Sequence, residues 1–211
     1  HGDLNAHIID MARFITGEEV TEVVGAVEET FVKERDIIES SGGAISGKGA
    51  KRAVRGSRKG KSTVDDAVLF LARMSGGAVA SFEATRLATG NQNRNQIEVN
   101  GEKGSFKFDF ERMNELQWWD HTLPARMRGW SRIMCTDASH PYAGNYWPAA
   151  HVLGYEHGFV SQAADTAMVL GKKKPVVAIP DFADAYETQR VLEAAIRCAR
   201  TRRPVAISEV K

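Results

Sequence analysis

The sequence predicts an α+β fold, a large, open and mostly antiparallel sheet with helices packed on one face. A glycine turn joins two apolar runs within 64–88, and a second glycine-bearing turn joins two more within 97–110. Helical patterns stand at both ends of the chain, at 3–17 and 180–203. Strands joined by such short turns form antiparallel sheets, and helices outside that run cover one side of the sheet.

The first predicted helix runs from a capping Asp3 to Gly17, which ends it in the left-handed conformation. Helical spacing places Asp3, His7 and Asp10 on one narrow face. This face borders the apolar stripe of the helix, which consists of Leu4, Ile8, Met11 and Ile15.

The other elements follow from apolar spacing and from Gly and Pro punctuation. Strands are predicted at 20–32, 64–74, 78–88, 97–110, 116–119 and 205–207, helices at 155–170 and 180–203, and an irregular, aromatic-rich stretch at 120–152. Residues 33–63 are rich in Gly, Lys and Arg and poor in apolar residues, which predicts a mobile basic loop. Its basic part, 48–61, fits a solvated insertion better than an anion-binding patch.

The bulk composition excludes several classes of partner. The 211 residues carry 28 Lys and Arg against 27 Asp and Glu, which gives no reason to expect a nucleic acid or an anionic membrane. No segment resembles a signal peptide or a membrane span. Cys135 and Cys198 have no paired spacing, so we interpret them as reduced thiols in a cytoplasmic protein.

The Asp3 and His7 spacing allows two interpretations. An aspartate four residues before a histidine on one helix face can accept a hydrogen bond from the imidazole, raise its basicity and let it take a proton from a substrate hydroxyl. The same residues also fit a helix cap, a structural histidine and a solvated Asp10.

Other catalytic chemistries lack their motifs in this sequence. His151, Glu156 and His157 lie close together, but there is no His-Glu-x-x-His helix motif or cysteine cluster, so we expect no metal site. There is no Gly-x-Ser-x-Gly elbow for a serine nucleophile. There is also no Gly-x-Gly-x-x-Gly loop after a strand, so these residues do not hold a dinucleotide in the usual way.

Three segments together resemble the Gfo/Idh/MocA family, named for glucose-fructose oxidoreductase, inositol dehydrogenase and a rhizopine-catabolism protein. The segments are GDLNAHIID at 2–10, the hairpin from VDDA at 64–67 to EATR at 83–86, and EVNGEKGS at 98–105. The resemblance covers nearly all of the chain but only the second half of a typical member, so the N-terminal Rossmann domain is expected to be absent from this chain. Asn5 and Ala6 stand where a glycine-serine pair often precedes the family histidine.

The resemblance assigns roles to individual residues. The family's Asp-x-x-x-His pair corresponds to Asp3 and His7, which implies that His7 is the general base and that Asp3 orients it and contacts substrate. The segment 140–157 is similar to sugar and polyol dehydrogenases of the family. The expected substrate contacts are Asp10, Arg86, Asn145, Tyr155 and His157.

We therefore expect residues 1–211 to be the C-terminal substrate-binding and oligomerisation domain of a two-domain dehydrogenase. The full protein would transfer a hydride between NAD or NADP and a sugar or polyol, as a homodimer or homotetramer joined through the sheet face. A start at His1 rather than methionine suggests that an N-terminal part is missing, and the chain alone is predicted to be inactive. The alternative is a non-catalytic oligomerisation and substrate-cleft module.

Overall fold

A computed structural model describes residues 1–37 and 58–211, and it confirms the α+β class with antiparallel strands. The helices are α1 (Leu4–Thr16), α2 (Tyr155–Leu170) and α3 (Phe182–Thr201). The strands are β1 (Val20–Glu29), β2 (Glu34–Asp36), β3 (Lys59–Lys61), β4 (Ala67–Met74), β5 (Val79–Thr85), β6 (Gln96–Asn100), β7 (Gly104–Asp109), β8 (Glu115–Asp120), β9 (Ser131–Met134) and β10 (Val205–Ala206).

The described strands pair in separate antiparallel sheets. One four-stranded sheet has the order β10-β1-β4-β5, and another has the order β6-β7-β8-β9. A short sheet joins β2 to β3. No helix in the described part of the chain combines the length and apolar character needed to cross a membrane.

The chain divides into two compact units. Unit 1 comprises His1–Ile9, Thr16–Ala88 and Gln189–Lys211, and it contains the β10-β1-β4-β5 sheet. Unit 2 comprises Asp10–Ile15 and Thr89–Thr188, and it contains the β6-β7-β8-β9 sheet and α2. The assignment of 1–211 to a single substrate-binding domain stays a prediction.

The core of unit 1 lies on one face of its sheet. Alternate residues of β4 are buried, as the two-residue period of a strand requires when one face is covered. The predicted β4–β5 hairpin is confirmed, and Gly77 (φ 95°) supplies the left-handed conformation that its turn needs. The side chains of this core that are almost fully buried include Val23, Val68, Phe70, Val191, Ala194 and Cys198.

The sheet of unit 2 requires a glycine at a close approach between strands. Gly104 begins β7 opposite Asp120, and a Cβ at this position would lie 2.5 Å from the Trp119 carbonyl oxygen. The neighbouring pair Ser105 and Trp119 continues the register. A larger residue at Gly104 would displace the backbone of β8.

Two sequence predictions were wrong about strands. Strands β2 and β3 lie inside the predicted loop 33–63, where the cross-strand pairs Glu34–Lys61 and Asp36–Lys59 join opposite charges. The remainder of that loop, 38–57, lies outside the described residues. Strand β9 lies inside the predicted irregular stretch 120–152, where its pairing with β8 supplies backbone hydrogen bonds that apolar spacing does not reveal.

Candidate active site

The candidate catalytic residues lie on the exposed side of α1. Asp3, His7 and Asp10 are exposed, whereas Asn5 and Ile9 are fully buried. The predicted helix is confirmed, and Gly17 follows it with a φ of 68°. The spacing of three and four residues therefore presents the carboxylates and the imidazole along one side of the helix.

The Asp3 carboxylate forms an ion pair with the Arg86 guanidinium. Arg86 directly follows β5, and its backbone N–H donates to the Asp66 carbonyl oxygen at 2.9 Å. The two candidate residues Asp3 and Arg86 are thus brought together in unit 1. No hydrogen bond joins Asp3 to His7 in the described structure, so the orienting role of Asp3 stays a prediction.

Asn5 holds the first turn of α1 against the core of unit 1. Its Nδ2 donates to the Val68 carbonyl oxygen of β4 at 3.3 Å and to His1 Nδ1 at 2.7 Å. Because Nδ1 of His1 accepts, its Nε2–H donates to the Leu192 carbonyl oxygen at 3.0 Å. A glycine, which often stands at this position in the family, could make none of these side-chain bonds.

His157 lines a cavity of about 420 Å³ in unit 2. Its Nδ1 accepts a hydrogen bond from the Gly154 N–H at 2.9 Å, so the neutral ring carries its proton on Nε2. The edge of the His157 ring packs against Tyr146, with centroids 4.4 Å apart and planes at 88°. These contacts fix the His157 ring at the start of α2. The ring caps the helix there and also lines the cavity.

Asp165 and Tyr142 organise the same cavity, and sequence reasoning missed both. Asp165 is 4 % exposed, and its carboxylate accepts from the Tyr142 hydroxyl and from the backbone N–H groups of Val176 (2.9 Å) and Val177 (3.4 Å). The Tyr142 hydrogen bond and these N–H groups lower the pKa of Asp165, while burial and the adjacent carboxylate raise the pKa of Tyr142 to about 12. The available signal was an acid, Asp165, within the otherwise apolar second half of α2.

The other predicted substrate contacts also belong to unit 2. Asn145 is exposed in a short 3₁₀ turn, where its N–H donates to the Tyr142 carbonyl oxygen at 2.9 Å. Tyr155 is 54 % exposed and packs edge-on against Phe110, with ring centroids 5.6 Å apart. Asn145, Tyr155 and His157 thus belong to one unit, and Asp3, His7 and Arg86 to the other.

No cluster of three or more His, Cys, Asp or Glu side chains among residues 1–37 and 58–211 is placed to hold a metal ion. His151 Nδ1–H instead donates locally to the Pro148 carbonyl oxygen at 3.0 Å.

The chain is similar to proteins of known family. The family model of the GFO/IDH/MocA C-terminal domain matches residues 1–107. Levoglucosan dehydrogenase from Pseudarthrobacter phenanthrenivorans is 37 % identical over 201 residues, which cover 94 % of this chain and 49 % of the relative. The chain therefore spans about half the length of this curated relative.

The chain is also similar to solved structures, and it again covers about half of each. An oxidoreductase domain protein from Kribbella flavida is 44 % identical and superposes with a TM-score of 0.81, covering 97 % of this chain and 50 % of the other. Levoglucosan dehydrogenase in complex with NADH and levoglucosan is 31 % identical, with a TM-score of 0.78 and the same coverages of 97 % and 50 %.

Proposed function

Because the chain belongs to the GFO/IDH/MocA C-terminal domain family, we propose that it supplies the proton-transfer helix of a nicotinamide-dependent sugar or polyol dehydrogenase. The observation that carries the proposal is the exposed pair of Asp3, directly before α1, and His7, four residues later on α1, with Arg86 bound to Asp3. A general base must be accessible to the hydroxyl that it deprotonates, and His7 is exposed.

In this proposal the neutral imidazole of His7 takes the proton from the substrate hydroxyl. The cofactor, NAD or NADP, accepts the hydride from the carbon that bears this hydroxyl. Asp3 orients the imidazole and contacts substrate, and Arg86 forms an ion pair with the Asp3 carboxylate. Asp10 supports the site by hydrogen bonding.

The sequence has no Gly-x-Gly-x-x-Gly motif, so these residues do not fit the usual dinucleotide site. We therefore propose that the cofactor is held mainly outside these 211 residues and that they do not turn over substrate by themselves. The related levoglucosan dehydrogenase was solved with NADH and with levoglucosan or L-sorbose, which supports a sugar as the substrate class. Arg86, Asn145 and Tyr155 remain the proposed sugar contacts, and for His157 a sugar contact is what the resemblance to the family implies.

The proposal is tested by hydride transfer in the full natural protein with inositols, simple sugars and levoglucosan, using either cofactor. We expect His7→Ala to lower kcat by about two orders of magnitude or more, because general-base catalysis contributes roughly 10²- to 10⁴-fold. His121→Ala is the control, since it removes another exposed histidine. Equal loss in both variants, or full activity in His7→Ala, would contradict the catalytic role of His7.

A second candidate function, assembly, is favoured by the outward face of the unit 1 sheet. Val27 and Leu69 lie opposite each other in the β1–β4 register, and both are exposed. Leu71 and Val79 add exposed apolar surface on β4 and β5. Such a face is typical of a subunit interface, and we propose a homodimer or homotetramer joined through it.

A further inference from the structure

The side chains that line the cavity at the start of α2 restrict the class of ligand that can bind there. Its volume of about 420 Å³ is within the usual range for small-molecule sites. All of its lining residues belong to unit 2. Most of the lining is apolar, including Met113, Pro141, Leu153, Val177, Ile179 and Pro180.

The charge of the lining disfavours an ionic ligand. No lysine or arginine lines the cavity in the described structure, so an anion would meet no countercharge. The lining carboxylate, Asp165, is 4 % exposed and already accepts hydrogen bonds from three donors within the protein, which leaves it little capacity to bind a cation. Burial raises the pKa of Cys135, so this thiol is neutral.

Most polar groups of the lining are already bonded within the protein. Both atoms of the Asn114 amide bond the backbone of Leu153 at 2.9 Å. The Tyr146 hydroxyl donates to the His157 carbonyl oxygen at 2.9 Å, so Ser161 Oγ, 2.8 Å away, must donate to Tyr146. These side chains therefore offer a ligand few hydrogen bonds, which does not match the many hydroxyls of a sugar.

Two side chains of the lining keep hydrogen-bond donors for a ligand, the exposed Gln162 amide and the His157 imidazole, and the position of the imidazole is defined by its neighbours. The Gly154 N–H occupies Nδ1 of His157, which leaves the Nε2–H without a partner in the described structure. Tyr146 packs against the ring of His157 and holds its orientation. A ligand oxygen that accepts from Nε2 would meet a donor that is already oriented.

We propose that this cavity binds an uncharged, mainly apolar ring compound whose carbonyl or ether oxygen accepts a hydrogen bond from His157 Nε2. The proposal does not depend on hydride transfer at His7. It gives His157 a different ligand from the sugar proposed above, and a single titration series separates the two.

The test measures binding to the full natural protein by the ring NMR signals of His157 and of Tyr146, which lines the same cavity and keeps its signal in His157 variants, with four probes. Acetophenone has a ring and an acceptor, ethylbenzene lacks the acceptor, benzoate is charged, and glucose is a neutral sugar. We expect acetophenone to bind about three- to tenfold more tightly than ethylbenzene, the usual effect of one hydrogen bond. Benzoate and glucose should bind more weakly than both, because their charge or hydroxyls would lose water without gaining partners.

Gly158→Leu is the variant that fills the cavity. Gly158 lines it on α2, and a Cβ there meets no atom within 4 Å. Leucine also favours a helix over glycine by about 0.5–1 kcal/mol, so we expect the variant to fold. It should lose acetophenone binding, while His157→Phe should remove the difference between acetophenone and ethylbenzene.

Three results would overturn the proposal. Acetophenone could fail to bind at millimolar concentration, or bind Gly158→Leu as well as the wild type. Glucose or benzoate could bind as tightly as acetophenone. Tight glucose binding would support the sugar contact at His157 instead, and loss of the cavity proposal would leave the His7→Ala result unaffected.

Discussion

Units 1 and 2 bury different kinds of side chain. In unit 1 the buried residues are apolar apart from Asn5 and Asp66, and they come from one face of β4, from β1 and from α3. In unit 2 most of the buried residues are polar. The described set is Ala12, Arg13, Ser105, Thr136, Ala143, Asp165 and Thr188.

The difference indicates which interactions stabilise each unit. Burial of apolar side chains stabilises unit 1 without strict geometry, since the hydrophobic effect is non-directional. Unit 2 relies on directional bonds, such as Arg13 Nη1 to Thr188 Oγ1 at 3.0 Å and Asp165 to its three donors. A substitution should therefore cost stability according to volume in unit 1 and according to hydrogen bonding in unit 2.

The largest expected effect comes from Phe70→Ala in unit 1. Phe70 is 3 % exposed and stacks on Phe82 with ring centroids 4.7 Å apart. Its truncation should lower the free energy of unfolding by about 3–5 kcal/mol, measured by urea denaturation. Leu71→Ala is the control, because the adjacent side chain is 57 % exposed on the opposite face. Equal losses in both variants would contradict a one-sided core.

A smaller effect, dependent on pH, is expected from Asp165→Asn in unit 2. The folded-state pKa of Asp165 is lowered, so its stabilising contribution is present above the usual value near 3.8 and is lost as pH falls through the folded value. Thermal unfolding across this acid range should therefore show a weaker pH dependence in Asp165→Asn than in the wild type. A tyrosine that titrates at about 12 in the wild type should shift towards 10 in the variant.

Asp137→Asn is the control for this experiment. Asp137 is exposed, and its lowered pKa comes from bonds to Ser139 within a local turn. This substitution should leave the tyrosine titration unchanged. If Asp165→Asn also leaves it unchanged, the bond between Tyr142 and Asp165 does not set the pKa of that tyrosine.

The smallest effect on unfolding is expected from Leu71→Asp. The side chain is already largely in solvent, so the free energy of unfolding of the isolated chain should change by less than about 1 kcal/mol. If the outward sheet face joins subunits, light scattering should show a mass that falls to one chain. Val152→Asp, an exposed apolar-to-acid change in unit 2, should keep the assembled mass. An unchanged mass in Leu71→Asp would exclude this face as the interface.

The sequence predicted the first helix and the β4–β5 hairpin of unit 1, but it was wrong about the buried face of that helix: Ile9 and Ala12 are buried, whereas Ile15 of the predicted stripe is 37 % exposed. An apolar run before a glycine turn predicted β4, and helical spacing predicted α1, both within a few residues of their bounds. The prediction failed for β2 and β3, whose residues are charged and paired by backbone bonds. It also missed β9, because the backbone pairing of β9 with β8 leaves no apolar pattern in the sequence of β9 itself.

The candidate site also combines features that the sequence predicted with features that only tertiary contacts define. The spacing of Asp3 and His7 was evident in the sequence, but the ion pair of Asp3 with Arg86 spans 83 residues. Asn5 was visible only as a departure from the family pattern, and its bond to the Val68 carbonyl oxygen required the packed core. Tyr142 could not be found because its role depends on a φ of 65° and on the distant Asp165.

By itself the sequence determined the α+β class, the family, the first helix and the candidate proton-transfer pair. The class, the helix and the pair follow from short-range spacing, which reports which side chains share a face of one element, whereas the family follows from the resemblance of three segments. The tertiary structure decided the division into two units, the partner of Asp3 and the cavity beside His157. Each of these joins groups from separate elements, and only the packed chain sets which donor reaches which acceptor.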